Sequence, residues 1–580
     1  MRLSEPPPTL PQPVGTCLPP ASTSGWRELV AVLLISGALA VGLTYPLAFE
    51  IGRVGRIDNG DGQFSIWNVA WVARTLVVDP RHVFDANIFY PHRWTLAYSE
   101  SNIGAGMMAV PAYWATRNPF VAHNVALMLS FVSSAAAMYY LTRYLTRDRR
   151  AAAVAAICFA YCPYVFGKTA EIQLLMTAGL PLVLLAFHSL SDRPTPARGS
   201  VLGLALTAQA ACCGYYAVFA VLMVGWSALV IAGMRRCWSS REYWAALGGA
   251  AVVAVTTTAP FFVPYILVQR VTGFSRPLAE ALRYSANLSA YLASSSYAHA
   301  WMLSIIPPWR EVLFPGYLAT ICGLIGWWTC TQRPAGAAAG AQAGISAGSR
   351  ATQWREIGVL YGSLVVLAAW ASFGPQAGLY AVLYRIVPLF QWLRAPSRFG
   401  LLVTLGLSVL TGATIALRVA RHRRGTLFCV IAASVAVAEL RTAMPFVAVP
   451  PFERVYHTLS KLPRGPVIEL PFFYPAVGLF RHTTYMLNST THWMPLVNGY
   501  SDYTPPDFME HVMTLAPFPS RDAFKILEPD HVRYAVFHMS SYNTENRNDI
   551  LARLGEFQAY LRLLYIDDGS RLYEIVGYPP

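Results

Sequence analysis

Residues 102–116 read NIGAGMMAVPAYWAT, and whether they cross a bilayer sets the orientation of everything that follows. The stretch is short, carries Gly104, Gly106 and Pro111, and runs into Arg117. A helix needs roughly 20 mostly apolar residues to span the hydrocarbon core of a membrane. Eleven other runs are the clearest apolar stretches: 28–49, 119–142, 151–167, 171–190, 199–213, 214–234, 243–268, 313–331, 356–373, 398–418 and 425–443. Arginines settle the doubtful stretch. They cluster at Arg143/Arg147/Arg149/Arg150, Arg193/Arg198, Arg235/Arg236/Arg241, Arg333/Arg350/Arg355 and Arg418/Arg421/Arg423/Arg424. With residue 1 in the cytoplasm and 102–116 not crossing, all these clusters fall on the cytoplasmic side. Counting 102–116 as a span would place them all outside, against the positive-inside rule. The stretch therefore reads as an interfacial or re-entrant helix. The chain reads as a polytopic α-helical membrane protein of about eleven spans, N-terminus in and C-terminus out.

Composition agrees. Of 580 residues 55% are hydrophobic and 13% charged, with a mean hydropathy of +0.40. Soluble domains carry about 25% charged residues, so a disordered chain and an ordinary cytosolic enzyme are both excluded. The net charge of +14 is almost all arginine, since Lys168, Lys461 and Lys525 are the only lysines. Spread over separate short loops, that charge is a topology signal and not a nucleic-acid groove.

Residues 1–25 are rich in proline and read as a disordered cytoplasmic tail. The transmembrane domain runs from 26 to 445, broken by a cytoplasmic linker at 332–355 that includes the low-complexity PAGAAAGAQAGISAG. In residues 446–580 the charges return, with strand-like runs at 466–470, 533–538 and 571–576 and a helical pattern over 548–564. About 130 residues suffice for a separate core, so this is an exported α/β domain. It has no cysteine and hence no disulfide framework. Cys158 and Cys162, one helical turn apart, read as packing.

By span parity the three long loops 50–118, 269–312 and 374–397 share the exported face. Loops beyond about 15 residues are usually functional. The first contains GRIDNGDGQFSIWNVAW (55–71) and holds Asp58, Asp61, Asp79, Asp85 and Glu100 among many aromatics. Apolar residues at Phe64, Trp67, Val69, Trp71 and Val72 predict a helix on the membrane surface. Asp61 falls at or just before its start, where a helix cap would explain it as well as chemistry would.

One span, a long exported loop with an early acidic residue and interfacial helices, then many spans, resembles the GT-C glycosyltransferases. These enzymes take sugars from polyprenyl-phosphate carriers. The resemblance rests on Gly60-Asp61-Gly62 with Trp67 and Trp71, on FDANIFYP (84–91), Ser99-Glu100, RAPSRF (394–399) and Asn498-Gly499-Tyr500-Ser501, and covers residues from about 28 to 510. It implies an integral-membrane transferase moving a sugar from a polyprenyl-phosphate donor to an exported glycan, lipid or protein acceptor of the cell envelope. The family's catalytic acid in the first exported loop carries over to Asp61 as general base, alone or with Asp58 or Glu100. Protein mannosyltransferases carry an Asp-Glu pair there, and Gly62 breaks that pair.

A phosphate leaving group needs cations in a low-dielectric site. The arginines and lysine on the exported side supply candidates: Arg394, Arg398, Arg283 and Lys168, with Glu171 beside Lys168. Snorkelling to lipid headgroups would account for them equally well. Asn498 and Tyr500 are placed on the acceptor side. His482 and His492 make no metal site without a third ligand. A divalent cation, Mg or Mn, is left open, and no other cofactor is expected. No phosphate-cradling Gly-rich loop, Rossmann fingerprint or nucleophile elbow is present, which favours a lipid-linked donor. Two other readings stay open. One is a transporter or lipid-handling protein, against which no internal repeat is found. The other is a non-catalytic envelope assembly protein that keeps the fold.

Overall fold

The computed structural model describes residues 25–273, 275–292, 294–306, 311–332, 346–419 and 422–580. The Pro-rich tail and most of the linker 332–355 lie outside the described residues. Each of the eleven apolar runs is occupied by a helix. Seven helical stretches among the described residues are long and apolar enough to cross a membrane: Gly25–Leu43, Pro119–Thr146, Arg149–Gly167, Ile172–Asp192, Gly214–Arg235, Arg241–Thr272 and Pro396–Val419. The chain is a mostly helical, multi-pass membrane protein.

Two runs are less regular than their composition suggests. The run 151–167 stops at Ala160 and restarts as Pro163–Gly167, because Pro163 offers no N–H to continue the ladder. The run 171–190 begins with one turn, Ile172–Leu175, and resumes at Gly179. Between them the chain turns a non-helical corner at residues 168–171.

The bundle has two unlike ends. At one, Glu28 binds Arg143 (3.3 Å), Arg149 (2.7 Å) and the Tyr139 hydroxyl (2.7 Å). There too Arg235 grips Glu356 (2.8 Å) and Asp192 (2.9 Å). At the other end lie the first long loop and the C-terminal domain. Helix Gly60–Val78 is flanked by Ile103–Thr116, and Gly106 lets them touch: a β-carbon there would stand 2.3 Å from Val72 Cγ1. Ile103–Thr116 has 14 residues, about 21 Å at 1.5 Å per residue, short of the roughly 30 Å hydrocarbon thickness.

The C-terminal domain holds a four-stranded sheet in the order Val467–Leu470, Tyr534–His538, Ser570–Ile575, Leu561–Ile566. The first pair is parallel and the others antiparallel. The expected helix over 548–564 is corrected: the helix is Thr544–Glu556, and Leu561–Ile566 is an edge strand. It closes a hairpin in which Asp567 Oδ1 accepts from the Gly569 (2.9 Å) and Ser570 (2.7 Å) amides. The strand is only partly covered, so its leucines imitate a helical stripe.

The first loop is stitched into this domain. Tyr90 N–H donates to Leu496 O (2.8 Å), Leu496 N–H to Asn87 O (2.9 Å) and Phe89 N–H to Asn498 O (3.1 Å). Asn87 also accepts from Trp67 Nε1 (3.1 Å) and donates to Ser489 Oγ (3.0 Å). The FDANIFYP segment is thus a strap tying loop to domain.

Candidate functional site

Asp61 is in the first turn of helix Gly60–Val78, but it is not the cap. That role belongs to Asn59, whose side chain accepts from the Gly62 amide at 2.9 Å. Gly62 has a steric reason to be glycine: a β-carbon there would lie 1.8 Å from Arg56 O. The residue that could have completed an acidic pair therefore has no room for any side chain. Released from capping, Asp61 makes no hydrogen bond or ion pair among the described residues. Its carboxyl is raised above the usual carboxylate range by burial, then by Glu171 and Asp502, with Arg394 and Lys168 opposing. Its side chain is nonetheless exposed to solvent.

Around Asp61 the charges are shared between neighbours. Lys168 lies 3.5 Å from Glu171 and 3.1 Å from Glu311. Burial weakens its hold on a proton, but the two carboxylates more than restore it. Glu171 is also 3.8 Å from Arg398. Burial would raise its pKa, yet Lys168 and Arg398 hold it below the usual range. Arg398 lies flat over the Tyr215 ring at 4.2 Å, and its Nε is buried without a hydrogen-bond partner. Arg394 donates its backbone N–H to the Tyr215 hydroxyl (2.9 Å) and pairs with Asp502 (3.1 Å), which also sits 3.7 Å from Arg276. Tyr500 closes the group. Its ring meets Phe64 edge-on at 6.4 Å, and its hydroxyl is pushed up to about 12 by burial, Asp61 and Asp502.

Beside these charges a cleft with a cavity volume of about 350 Å³ runs between helices Pro196–Cys212, Gly214–Arg235 and Arg241–Thr272. Its walls are apolar, while Glu100, Arg276 and Asp502 stand at its polar end. Two lining residues, Val221 and Val255, are largely exposed, so the cleft opens sideways where lipid would surround the bundle.

The other candidates are placed elsewhere or are already engaged. Asp58 is gripped by Arg56 Nε (2.8 Å) and Nη2 (3.1 Å), which hold it below the ordinary range. Glu100 is buried and accepts from the Gly214 (3.1 Å) and Tyr215 (3.3 Å) amides, so it caps helix Gly214–Arg235. Arg283 is exposed at the end of helix Leu278–Arg283, and the ion pairs around Asp61 do not include it. Asn498 is fully buried and bridges Glu469 and His482. His482 is held near 4 by burial. Among the described residues no three His, Cys, Asp or Glu side chains gather as metal ligands. The carboxylates near Asp61 already face lysine or arginine, a donor set that does not fit Mg or Mn. Two contributors were not named from sequence as site residues, Asp502 and Glu311, and they are joined by Arg276, one of the exported-side cations. Asp502 immediately follows the Asn498–Ser501 motif, but nothing in the sequence pairs it with residues 276 and 394.

No protein-family model matches the sequence, and no curated protein matches it. Among solved structures, the arabinofuranosyltransferase AftD from mycobacteria, a GT-C enzyme, superposes at a TM-score of 0.53 over 95% of this chain with 13% identity. The chain has the GT-C fold. It spans about 40% of the length of AftD. ArnT from Cupriavidus metallidurans aligns at TM-scores of 0.38 in the apo state and 0.34 bound to undecaprenyl phosphate, each at 12% identity, over 96% of this chain and 99% and 100% of ArnT. Within this GT-C fold, the carboxylate in the first long loop and the charges of the C-terminal domain meet at one end of the bundle.

Proposed function

We propose that the protein is an integral-membrane glycosyltransferase of the cell envelope, moving a sugar from a polyprenyl-phosphate donor to an exported acceptor. The observation that carries this reading is Asp61: an unpartnered carboxylate, solvent-accessible and raised in pKa, set among cations beside a sideways-opening apolar cleft. The cleft suits an isoprenoid chain, and Arg276 and Arg394 near its polar end suit the phosphate. In the reaction the acceptor hydroxyl attacks the sugar C1. Its proton passes to Asp61 as the C1–O bond to the carrier phosphate breaks, and the phosphate departs with its negative charge. Arg394 and Lys168 face that charge, while Glu171 and Asp502 keep Asp61 basic enough to accept the proton. Asp58 and Glu100 hold the loop and the cleft wall in place and take no part in proton transfer. The arginine-rich end then faces the cytoplasm and the C-terminal domain is exported.

Incubation of the purified protein in lipid nanodiscs with polyprenyl-phosphate-linked pentoses and hexoses tests the reading. Release of free polyprenyl phosphate that disappears in Asp61→Asn is expected. Binding of these lipids with no turnover of any of them would instead support the assembly-protein reading.

A further inference from the structure

A second charged group lies further along helix Gly60–Val78. Arg74 is thirteen residues from Asp61, about 20 Å along the axis at 1.5 Å per residue. It sits over the Trp493 ring at 5.4 Å. Arg117 follows helix Ile103–Thr116 and lies over Trp114 at 3.6 Å and near Tyr113 at 5.9 Å. Trp114 Nε1 donates to Ala73 O at 3.1 Å, so Arg117 is held against the segment that carries Arg74. Arg464 arrives from the C-terminal domain. It lies just before Val467, whose N–H donates to Pro495 O at 2.8 Å, which keeps it beside the His492–Trp493 turn. Three segments far apart in sequence thus bring three guanidinium groups together.

None of the three has a carboxylate partner among the described residues, unlike Arg143, Arg149 and Arg235 at the opposite end of the bundle. Assembled like charges without a counter-ion repel: burial, Arg464 and Arg117 weaken the hold of Arg74 on its proton, with Tyr113 opposing them. A second observation is independent of the arginines. His492 Nδ1 accepts the Met494 amide at 3.0 Å, so the neutral ring carries its proton on Nε2, and that atom is buried with no partner. Burial and then Arg464 hold His492 near 3, so the ring is a neutral donor.

We propose that Arg74, Arg117, Arg464 and the His492 Nε2–H form a binding site for a phosphate anion at the membrane surface, separate from the Asp61 centre. Guanidinium forks match phosphate oxygens two at a time. The Trp493 and Trp114 faces set the planes of Arg74 and Arg117, so little side-chain freedom is lost on binding. The phosphate belongs either to an anionic lipid headgroup or to a soluble phosphate ester. The site does not depend on the proposed transferase reaction, and its test reads binding alone.

Calorimetric titration of the full-length protein in uncharged detergent distinguishes the sources. The probes are dihexanoyl-phosphatidylglycerol, dihexanoyl-phosphatidylcholine and glycerol 1-phosphate. Expected is binding of phosphatidylglycerol, glycerol 1-phosphate or both, at least tenfold tighter than phosphatidylcholine. The R74Q/R117Q/R464Q protein should lose at least tenfold in affinity. Binding of phosphatidylglycerol alone assigns the site to a lipid headgroup, and comparable binding of glycerol 1-phosphate assigns it to a soluble ester. Where the triple variant fails to fold, R464Q, an exposed loop change, should still weaken binding at least threefold, with R270Q as the control that leaves it unchanged. Equal affinities in wild type and R464Q, equal loss in R270Q, or no preference over phosphatidylcholine would overturn the proposal.

Discussion

The two ends of the helix bundle use charge in opposite ways. At the arginine-rich end three carboxylates are engaged by arginine: Glu28 is held by Arg143, Arg149 and Tyr139, and Arg235 answers both Glu356 and Asp192. At the other end Lys168 is split between Glu171 and Glu311, and Asp502 between Arg394 and Arg276. Asp61 is left without a partner there. Paired charges of the first kind fix orientation and add little reactivity. A network with one carboxylate left over is a place where a proton or an anion can be taken up. The comparison separates structural charge from chemical charge within one chain.

The largest effect that would break this contrast comes from Asp61. Asp61→Asn should lower turnover by about 10² to 10⁴, the usual contribution of a general base, with the protein still present in the membrane at wild-type level. Gly62→Glu comes next. It does not rebuild an acidic pair, because the new side chain meets Arg56 O. Activity should fall at least tenfold and thermal unfolding should move down by about 1–3 kcal/mol of stability. Arg394→Gln removes one charged contact worth about 1.5–3 kcal/mol. A rise in the donor KM of roughly 10- to 100-fold is expected from steady-state kinetics.

Smaller is the effect of Asp502→Asn. Protonation of Asp61 stops it acting as a base, so the rate falls as pH drops through its raised pKa. Removing Asp502 deletes a negative neighbour and releases Arg394, and both changes lower that pKa. The acid limb of the pH–rate profile should therefore move toward lower pH. At the opposite end Glu356→Gln should reduce thermal stability and leave both kcat and KM unchanged. A change in kinetics there would erase the distinction between the ends.

The helices of the bundle were legible because they are sustained apolar runs, whereas the breaks at Cys162–Pro163 and Met176–Ala178 were not. Asp61 was legible as a candidate, but its state was not. The residues alone left helix cap and chemistry equally open, and only the fold shows Asn59 taking the cap position and Gly62 pressed against Arg56 O. The contacts of Glu100 and Asn498 were not legible: Glu100 accepts from the Gly214 and Tyr215 amides, and Asn498 bridges Glu469 and His482. Asp502, Glu311 and Arg276 could not be grouped with Asp61 because their proximity is made by tertiary packing across hundreds of residues. The edge strand Leu561–Ile566 was lost to its leucine spacing, although the Asp567-Asp568-Gly569 turn after it was a usable hairpin signal.

The most direct test of the central claim is complementation of a deletion strain, reading polyprenyl-phosphate-linked sugars and envelope glycans by mass spectrometry. The account predicts that the deletion accumulates one lipid-linked sugar and lacks the matching glycan residue. Wild type should correct both, and Asp61→Asn, expressed equally, neither. Full correction by Asp61→Asn would contradict it.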